Sequence, residues 1–92
     1  MNTYLISYDL GIPETTKDYQ LLIDYIKSYG TWAKPLYSEW FIKTNKTPAV
    51  VRQEISNLID NNDKVLVINV TGADWSSYNL SEEVTKWMKD NL

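Results

Sequence analysis

The spacing of apolar residues switches between a period of two and helical spacing along this chain, and the order of the switches limits the fold. Residues 3–9 alternate as a strand whose two faces are both half apolar, which is typical of a central strand. Ile12 and Pro13 interrupt this pattern soon after the strand. Residues 16–29 then follow helical spacing, and Gly30 supplies a left-handed C-cap. The chain therefore begins with a strand followed by a helix.

Two strands and a second helix are predicted for the middle of the chain. Residues 31–37 and 39–44 have strand character, and Pro35 indicates that the first of these strands lies at a sheet edge. Thr47 is the predicted N-cap of the next helix, with Pro48 at its first position. The buried stripe of that helix is predicted to be Val51, Ile55, Leu58 and Ile59.

The last third of the chain predicts a turn, a strand and a third helix. Residues 60–63 read Asp-Asn-Asn-Asp, which lacks the glycine and distal glutamate of a calcium loop and indicates a turn. Residues 64–70 form the clearest strand pattern of the chain. Asn79 is the predicted N-cap of a C-terminal helix, with Glu82 reaching back to it. The apolar stripe of this helix is Leu80, Val84, Trp87 and Met88.

The order strand, helix, strand, strand, helix, strand predicts an α+β fold, a ferredoxin-like βαββαβ sandwich with an additional C-terminal helix. Two right-handed crossovers place both helices on one face of a four-stranded antiparallel sheet. We expect a single ferredoxin-like domain over residues 1–92, with a core over 1–71 and a loop and helix over 72–92. The other sheet face then needs a cover, either the C-terminal helix or a second subunit, and a homodimer is the simplest solution.

Composition removes several kinds of chemistry. The 92 residues include neither cysteine nor histidine, which excludes disulfides, thiolate metal sites, cysteine nucleophiles and imidazole bases. Carboxylates, hydroxyls, tyrosines and amines are left as reactive groups. The sequence has no apolar stretch of membrane-spanning length and no signal-peptide pattern, so we expect a cytoplasmic protein without membrane contact.

Asp9 is the most conspicuously placed carboxylate, because it closes an apolar strand. Such a group is expected to be partly desolvated, and a hydrogen bond, a cation or a metal ion must then stabilise it. Two interpretations remain open: Asp9 is a metal ligand, or it caps Gly11 and nearby amides in the following turn. The neighbouring Tyr8 either orients Asp9 or packs in the core, and core packing is favoured.

The middle of the chain is its only basic segment, although the whole chain has a net charge of −3. Residues 27–52 contain five basic side chains and one acidic one, interleaved with aromatic residues. This combination suits a surface that tracks a nucleic-acid backbone and stacks on bases. The alternative is a hairpin whose aromatic residues face the core and whose lysines are solvated. The candidate nucleic-acid contacts are Lys34, Lys43, Lys46 and Arg52.

Several short motifs resemble the CRISPR-associated Cas-two family and its relatives, including VapD-type toxins and short SinR-like proteins. Tyr8-Asp9 closes the first strand, Tyr29-Gly30 ends the helix, Ser38 follows soon after, and Asp63 precedes a Val-Leu-Val-Ile strand. The runs Tyr-Gly-Thr-Trp, Ser-x-Trp, Asn-Asp and Val-Thr-Gly are similar to those of the SinR-like group. The resemblance covers residues 1–71, whereas the family usually ends in a strand that joins the partner's sheet.

This resemblance implies a ferredoxin-like homodimer in which the strand-end aspartates of two subunits share Mg2+. By position, Asp9 is the matching residue, as catalytic residue and metal ligand, and Ser38 is a weaker match. Two carboxylates brought together across a two-fold axis repel each other unless a cation or proton lies between them. The activity that the resemblance implies is that of a magnesium-dependent endonuclease acting on nucleic acid. The alternative is a catalytically inactive dimeric binding or scaffold module whose partner is a protein or a nucleic acid.

Overall fold

The computed structural model describes residues 1–11 and 16–92, with side chains for 1–11 and 19–92. Within these residues a four-stranded antiparallel sheet has the order β2-β3-β1-β4. Its strands are β1 (Asn2–Asp9), β2 (Trp32–Leu36), β3 (Glu39–Thr44) and β4 (Lys64–Asn69). The central position of β1 and the edge position of β2 confirm the sequence predictions. Ile12 and Pro13, where the sequence predicts a break, lie outside the described residues.

Three helices accompany this sheet in the described part of the chain, which is therefore α+β. They are α1 (Thr16–Lys27), α2 (Pro48–Ser56) and α3 (Glu82–Asn91). Thr47 caps α2 as predicted, because its side chain accepts a hydrogen bond from the Val50 N–H. Gly30 has a φ of 80°, the left-handed conformation expected after α1. Leu58 and Ile59, which the sequence places on the stripe of α2, lie beyond its last residue.

The predicted start of α3 is wrong by two residues. Ser81 is the N-cap, and the Val84 N–H donates to its Oγ at 3.2 Å. Asn79 has a φ of 62° and so turns the chain just before the helix. An N-cap residue needs an extended backbone, which excludes Asn79 from that role, while asparagine tolerates the left-handed conformation better than most residues.

One face of the sheet is covered by α1 and α2 and holds the larger core. Tyr4, Ile6 and Tyr8 project from β1 into this layer, as the alternation of the strand predicts. The other fully or nearly fully buried members come from both helices and from β3: Leu22, Ile26, Val51, Ile55, Trp40 and Ile42. The buried residues of α1 and α2 therefore meet on the same side of the sheet.

The opposite face is covered in part by α3 of the same chain. Met88 is 5% exposed and joins a cluster with Ala33 and Phe41. The Trp87 ring stacks on the Phe41 ring with their centroids 5.8 Å apart. Buried Thr3 fixes the end of the helix, because its hydroxyl donates to the carbonyl of Asn91. The C-terminal helix thus covers part of this face. The part of the face near β4 lies outside the cluster.

Candidate functional site

Asp9 is the last residue of β1, at the end of the face that α3 covers only in part. It pairs with Lys64, the first residue of β4, and both side chains are exposed. The prediction of a partly desolvated carboxylate is therefore wrong, because the cluster under α3 reaches only Leu5 along β1. Asp9 lies in a shallow depression of about 220 Å³. Its lining residues are Ser7, Tyr8, Asp9, Lys64, Val65 and Leu66.

A different carboxylate organises the turn that follows β1. The Gly11 N–H donates to Asp63 Oδ1 at 2.6 Å, and the Asp60 N–H donates to Asp63 Oδ2 at 2.7 Å. The capping role that the sequence left open for Asp9 at Gly11 thus belongs to Asp63. Among the described residues, the Asp9 side chain has neither a hydrogen-bond nor an ion-pair partner. Its carboxylate is available to an external ligand.

A metal ion at Asp9 would need more ligands than the described residues of one subunit provide. The described residues contain no group of three or more aspartate, glutamate, histidine or cysteine side chains placed to hold a metal. Mg2+ prefers carboxylate oxygens and retains several waters, so the single carboxylate of Asp9 has suitable chemistry. A second subunit would supply further oxygen ligands to such a site.

The structure places two of the candidate basic residues on opposite faces of the sheet. The ammonium of Lys34 lies 5.1 Å from the ring centroid of Trp40, in the layer of α1 and α2, and 5.3 Å from that of Tyr37. Lys43 follows Ile42, which is buried in that same layer, so strand alternation directs Lys43 to the other face. Arg52 lies on the exposed side of α2. These side chains do not share one surface.

Lys46 is held in a polar network instead of pointing freely to solvent. Its Nζ donates to the two carboxylate oxygens of Glu54 at 2.6 and 3.1 Å and lies 5.3 Å from the Tyr29 ring centroid. The Tyr25 hydroxyl also donates to Glu54, at 3.0 Å. The hydrogen bond from Lys46 lowers the pKa of Glu54, and the same bond raises the pKa of Lys46. A phosphate would compete with Glu54 for this lysine.

Tyr8 packs in the core, as favoured from the sequence. Its side chain is 6% exposed, and its hydroxyl accepts a hydrogen bond from Trp40 Nε1 at 3.1 Å. The Tyr19 hydroxyl lies 3.4 Å away. Burial raises the pKa of the Tyr8 hydroxyl above its usual value. The Tyr8 hydroxyl thus connects the strand to α1 and to β3.

An exposed apolar area adjoins Asp9, on the sheet face for which the sequence predicts a cover, although the sequence analysis did not name its residues. Leu66 and Ile68 of β4 are 56% and 43% exposed. They pair with Ser7 and Leu5 of β1, which places them on the face of Asp9. We call Leu66, Ile68, Ser7 and Asp9 the open patch. A signal was present, because β4 is apolar at successive positions, and such a strand is typically covered on both faces.

The chain matches no known protein-family model, so the Cas-two resemblance stays a prediction. Among the helices of residues 1–11 and 16–92, none has the length and apolarity that crossing a bilayer requires.

Proposed function

We propose that this protein is a homodimeric, ferredoxin-like binding module, similar to Cas-two proteins, whose subunits associate through the open patch. The exposure of Leu66 and Ile68 on an edge strand carries this proposal. The strand order β2-β3-β1-β4, with α1 and α2 on one face, supports the ferredoxin-like arrangement. An edge strand that is apolar on both faces is an expected site of pairing with a second chain.

The geometry of β4 suits pairing with a second copy of itself. In an antiparallel pair related by a two-fold axis, the two copies of Lys64 lie at opposite ends, so like charges do not meet. Leu66 lies near the middle of the strand and would contact its own copy or a close neighbour. Completing the burial of Leu66 and Ile68 in both subunits contributes about 4 kcal/mol, in addition to the edge hydrogen bonds.

Analytical ultracentrifugation over a range of concentrations tests this association. We expect the wild-type chain to dimerise and Leu66→Lys to shift the equilibrium to monomer, because two ammonium groups would meet in the interface. Val50→Lys is the matched control, since Val50 is 44% exposed on α2, away from the open patch. A wild-type chain that stays monomeric, or two variants that dimerise equally well, would contradict the proposal.

Metal-dependent cleavage of nucleic acid is the second candidate function, and the position of Asp9 favours it. Asp9 lies two residues beyond Ser7 on the same face, and Ser7 pairs with Leu66. Because Asp9 pairs with Lys64, edge-to-edge pairing of β4 would hold the two copies of Asp9 apart, and a shared metal site would need the two open patches to pack face to face. Bound Mg2+ would activate a water for attack on a phosphodiester. Lys43 and Lys46, which line one depression, would then contact nucleic acid together, and Lys34 and Arg52 would contact it from other surfaces.

Cleavage assays separate this candidate from a module that only binds. Short single-stranded and duplex RNA and DNA are incubated with the wild-type chain, with magnesium or with a chelator. We expect a nuclease to lose activity with the chelator and in Asp9→Ala, which should fold normally because Asp9 is exposed. Asp60→Ala, another exposed carboxylate, is the control. Cleavage that survives in Asp9→Ala would exclude a metal role for Asp9. If the wild type cleaves nothing, the binding module is the remaining proposal.

A further inference from the structure

A cavity of about 280 Å³ lies where α3 and the loop before it meet the sheet. Its apolar wall is formed by Leu5, Phe41, Leu80 and Met88. Leu36 and Tyr78 also line it, and they are 54% and 88% exposed. The volume is close to that of small-ligand pockets, which are mostly apolar with a few polar groups. The cavity is therefore shaped for the apolar part of a small molecule.

Glu39 is the charged residue among those that line this cavity. It begins β3 and pairs with Ser7 on one side and Leu36 on the other, and its side chain is partly buried. In residues 1–11 and 16–92, the structure gives its carboxylate neither an ion-pair nor a hydrogen-bond partner. A carboxylate beside an apolar wall favours a cation there, because the cation compensates the charge that the wall desolvates.

Tyr78 adds an aromatic surface to the same cavity. Asn79, next to it, adopts a left-handed conformation with a φ of 62°, which turns the chain between the tyrosine and α3. The Tyr78 side chain is largely exposed although it borders the cavity. Tyrosine rings attract cations through their faces and also pack against apolar groups. Tyr78 can therefore contact both parts of a ligand that combines an apolar body with a positive charge.

We propose that this cavity, which we call the α3 cavity, binds a small apolar organic cation such as an aryl-alkyl amine. The apolar body lies against Phe41 and Met88, and the ammonium group pairs with Glu39. This inference goes beyond the proposed function and does not depend on it. A larger groove of about 520 Å³ lies between β2 and α3, with Glu83 and Trp87 in its lining.

Amide NMR titrations with three matched probes test the proposal. Phenethylamine is the cation, 2-phenylethanol the neutral analogue and 3-phenylpropanoate the anion. We expect phenethylamine to bind most tightly, with a dissociation constant on the order of a few millimolar for so small a ligand. The largest shifts should occur at Phe41, Tyr78 and Leu80, which line the α3 cavity. Equal binding of the three probes, or shifts centred on the groove at Trp87, would overturn it.

Two charge variants show whether Glu39 selects the cation. Glu39→Gln should weaken phenethylamine about two- to fivefold, the range expected for an ion pair near the surface, and leave 2-phenylethanol unchanged. The unchanged alcohol shows that the cavity is still formed. Glu83→Gln, which alters the other groove, should leave both probes unchanged. If Glu39→Gln binds the amine as well as the wild type does, the proposal is wrong.

A second copy of the chain is the alternative occupant of the α3 cavity. The titration is therefore repeated with Leu66→Lys, in which the proposed dimer is disrupted. Equal binding by both proteins supports the small cation and is independent of the oligomeric state. Binding that occurs only in Leu66→Lys would identify the second subunit as the occupant and overturn the proposal for a small ligand.

Discussion

Removing the Met88 side chain should weaken the packing of α3 on the sheet and measurably lower the free energy of unfolding. Met88 is 5% exposed and packs with Ala33 and Phe41 on the face opposite α1 and α2. Truncating a buried methionine to alanine costs 2 to 5 kcal/mol as a rough range. Met88 also borders the α3 cavity, so water can enter the space that is left. We therefore expect Met88→Ala to lower the free energy of unfolding by about 2 kcal/mol, the lower end of that range.

Urea denaturation at one fixed protein concentration measures this loss. With a slope near 1 kcal/mol per molar, which suits a chain of this size, the midpoint should fall by roughly 2 M. Fluorescence should report the same transition, because Trp87 stacks on Phe41 beside Met88. Lys86→Ala is the matched control on the same helix, since Lys86 is exposed and forms an ion pair with Asp90. We expect the control to change stability by less than about 0.5 kcal/mol.

Two results would refute this account of α3. A loss below about 0.5 kcal/mol in Met88→Ala, equal to that of Lys86→Ala, would mean that the helix is not docked on the sheet in solution. A changed urea slope with an unchanged midpoint would mean that the substitution alters the compactness of one state and not the stability. The second face of the sheet would then be more open than the structure shows.

Three further substitutions test local contacts. Thr47→Ala removes the cap of α2 and should destabilise the protein by about 1 kcal/mol in urea denaturation; an unchanged midpoint would mean that this helix end needs no cap. The pKa of Glu54 is lowered in the folded state by the hydrogen bond from Lys46, so this contribution to stability is present above the usual value of 4.5 and is lost as the pH falls through the lower folded value. The stability difference between wild type and Glu54→Gln should therefore shrink as the pH drops below 4.5, and a constant difference would contradict this. Gly11→Ala would overlap the Asn62 side chain and crowd its carbonyl at 3.1 Å, so thermal unfolding should show a loss of about 1 to 3 kcal/mol, whereas no loss would mean that this turn relaxes freely.

The contacts of the charged side chains could not be predicted from the sequence. Asp63 bonds Gly11 across 52 positions of sequence, which displaces Asp9 from the capping role. Lys34 and Lys43 are neighbours in a basic segment, yet they project to different faces of the sheet. Spacing along the chain gives no information on such contacts, because they depend on how distant segments are packed.

The sequence by itself determined the type and order of the secondary structure elements. Apolar periodicity identified β1, β3 and β4, and the Thr47-Pro48 pair located the start of α2. These features follow from interactions between residues a few positions apart, so a local pattern is sufficient to predict them. Only the tertiary structure decided that α3 covers its own sheet and leaves Leu66 and Ile68 exposed beside Asp9. The reason is physical: burial depends on which distant surfaces meet, and a strand that is apolar on both sides does not specify what covers each side.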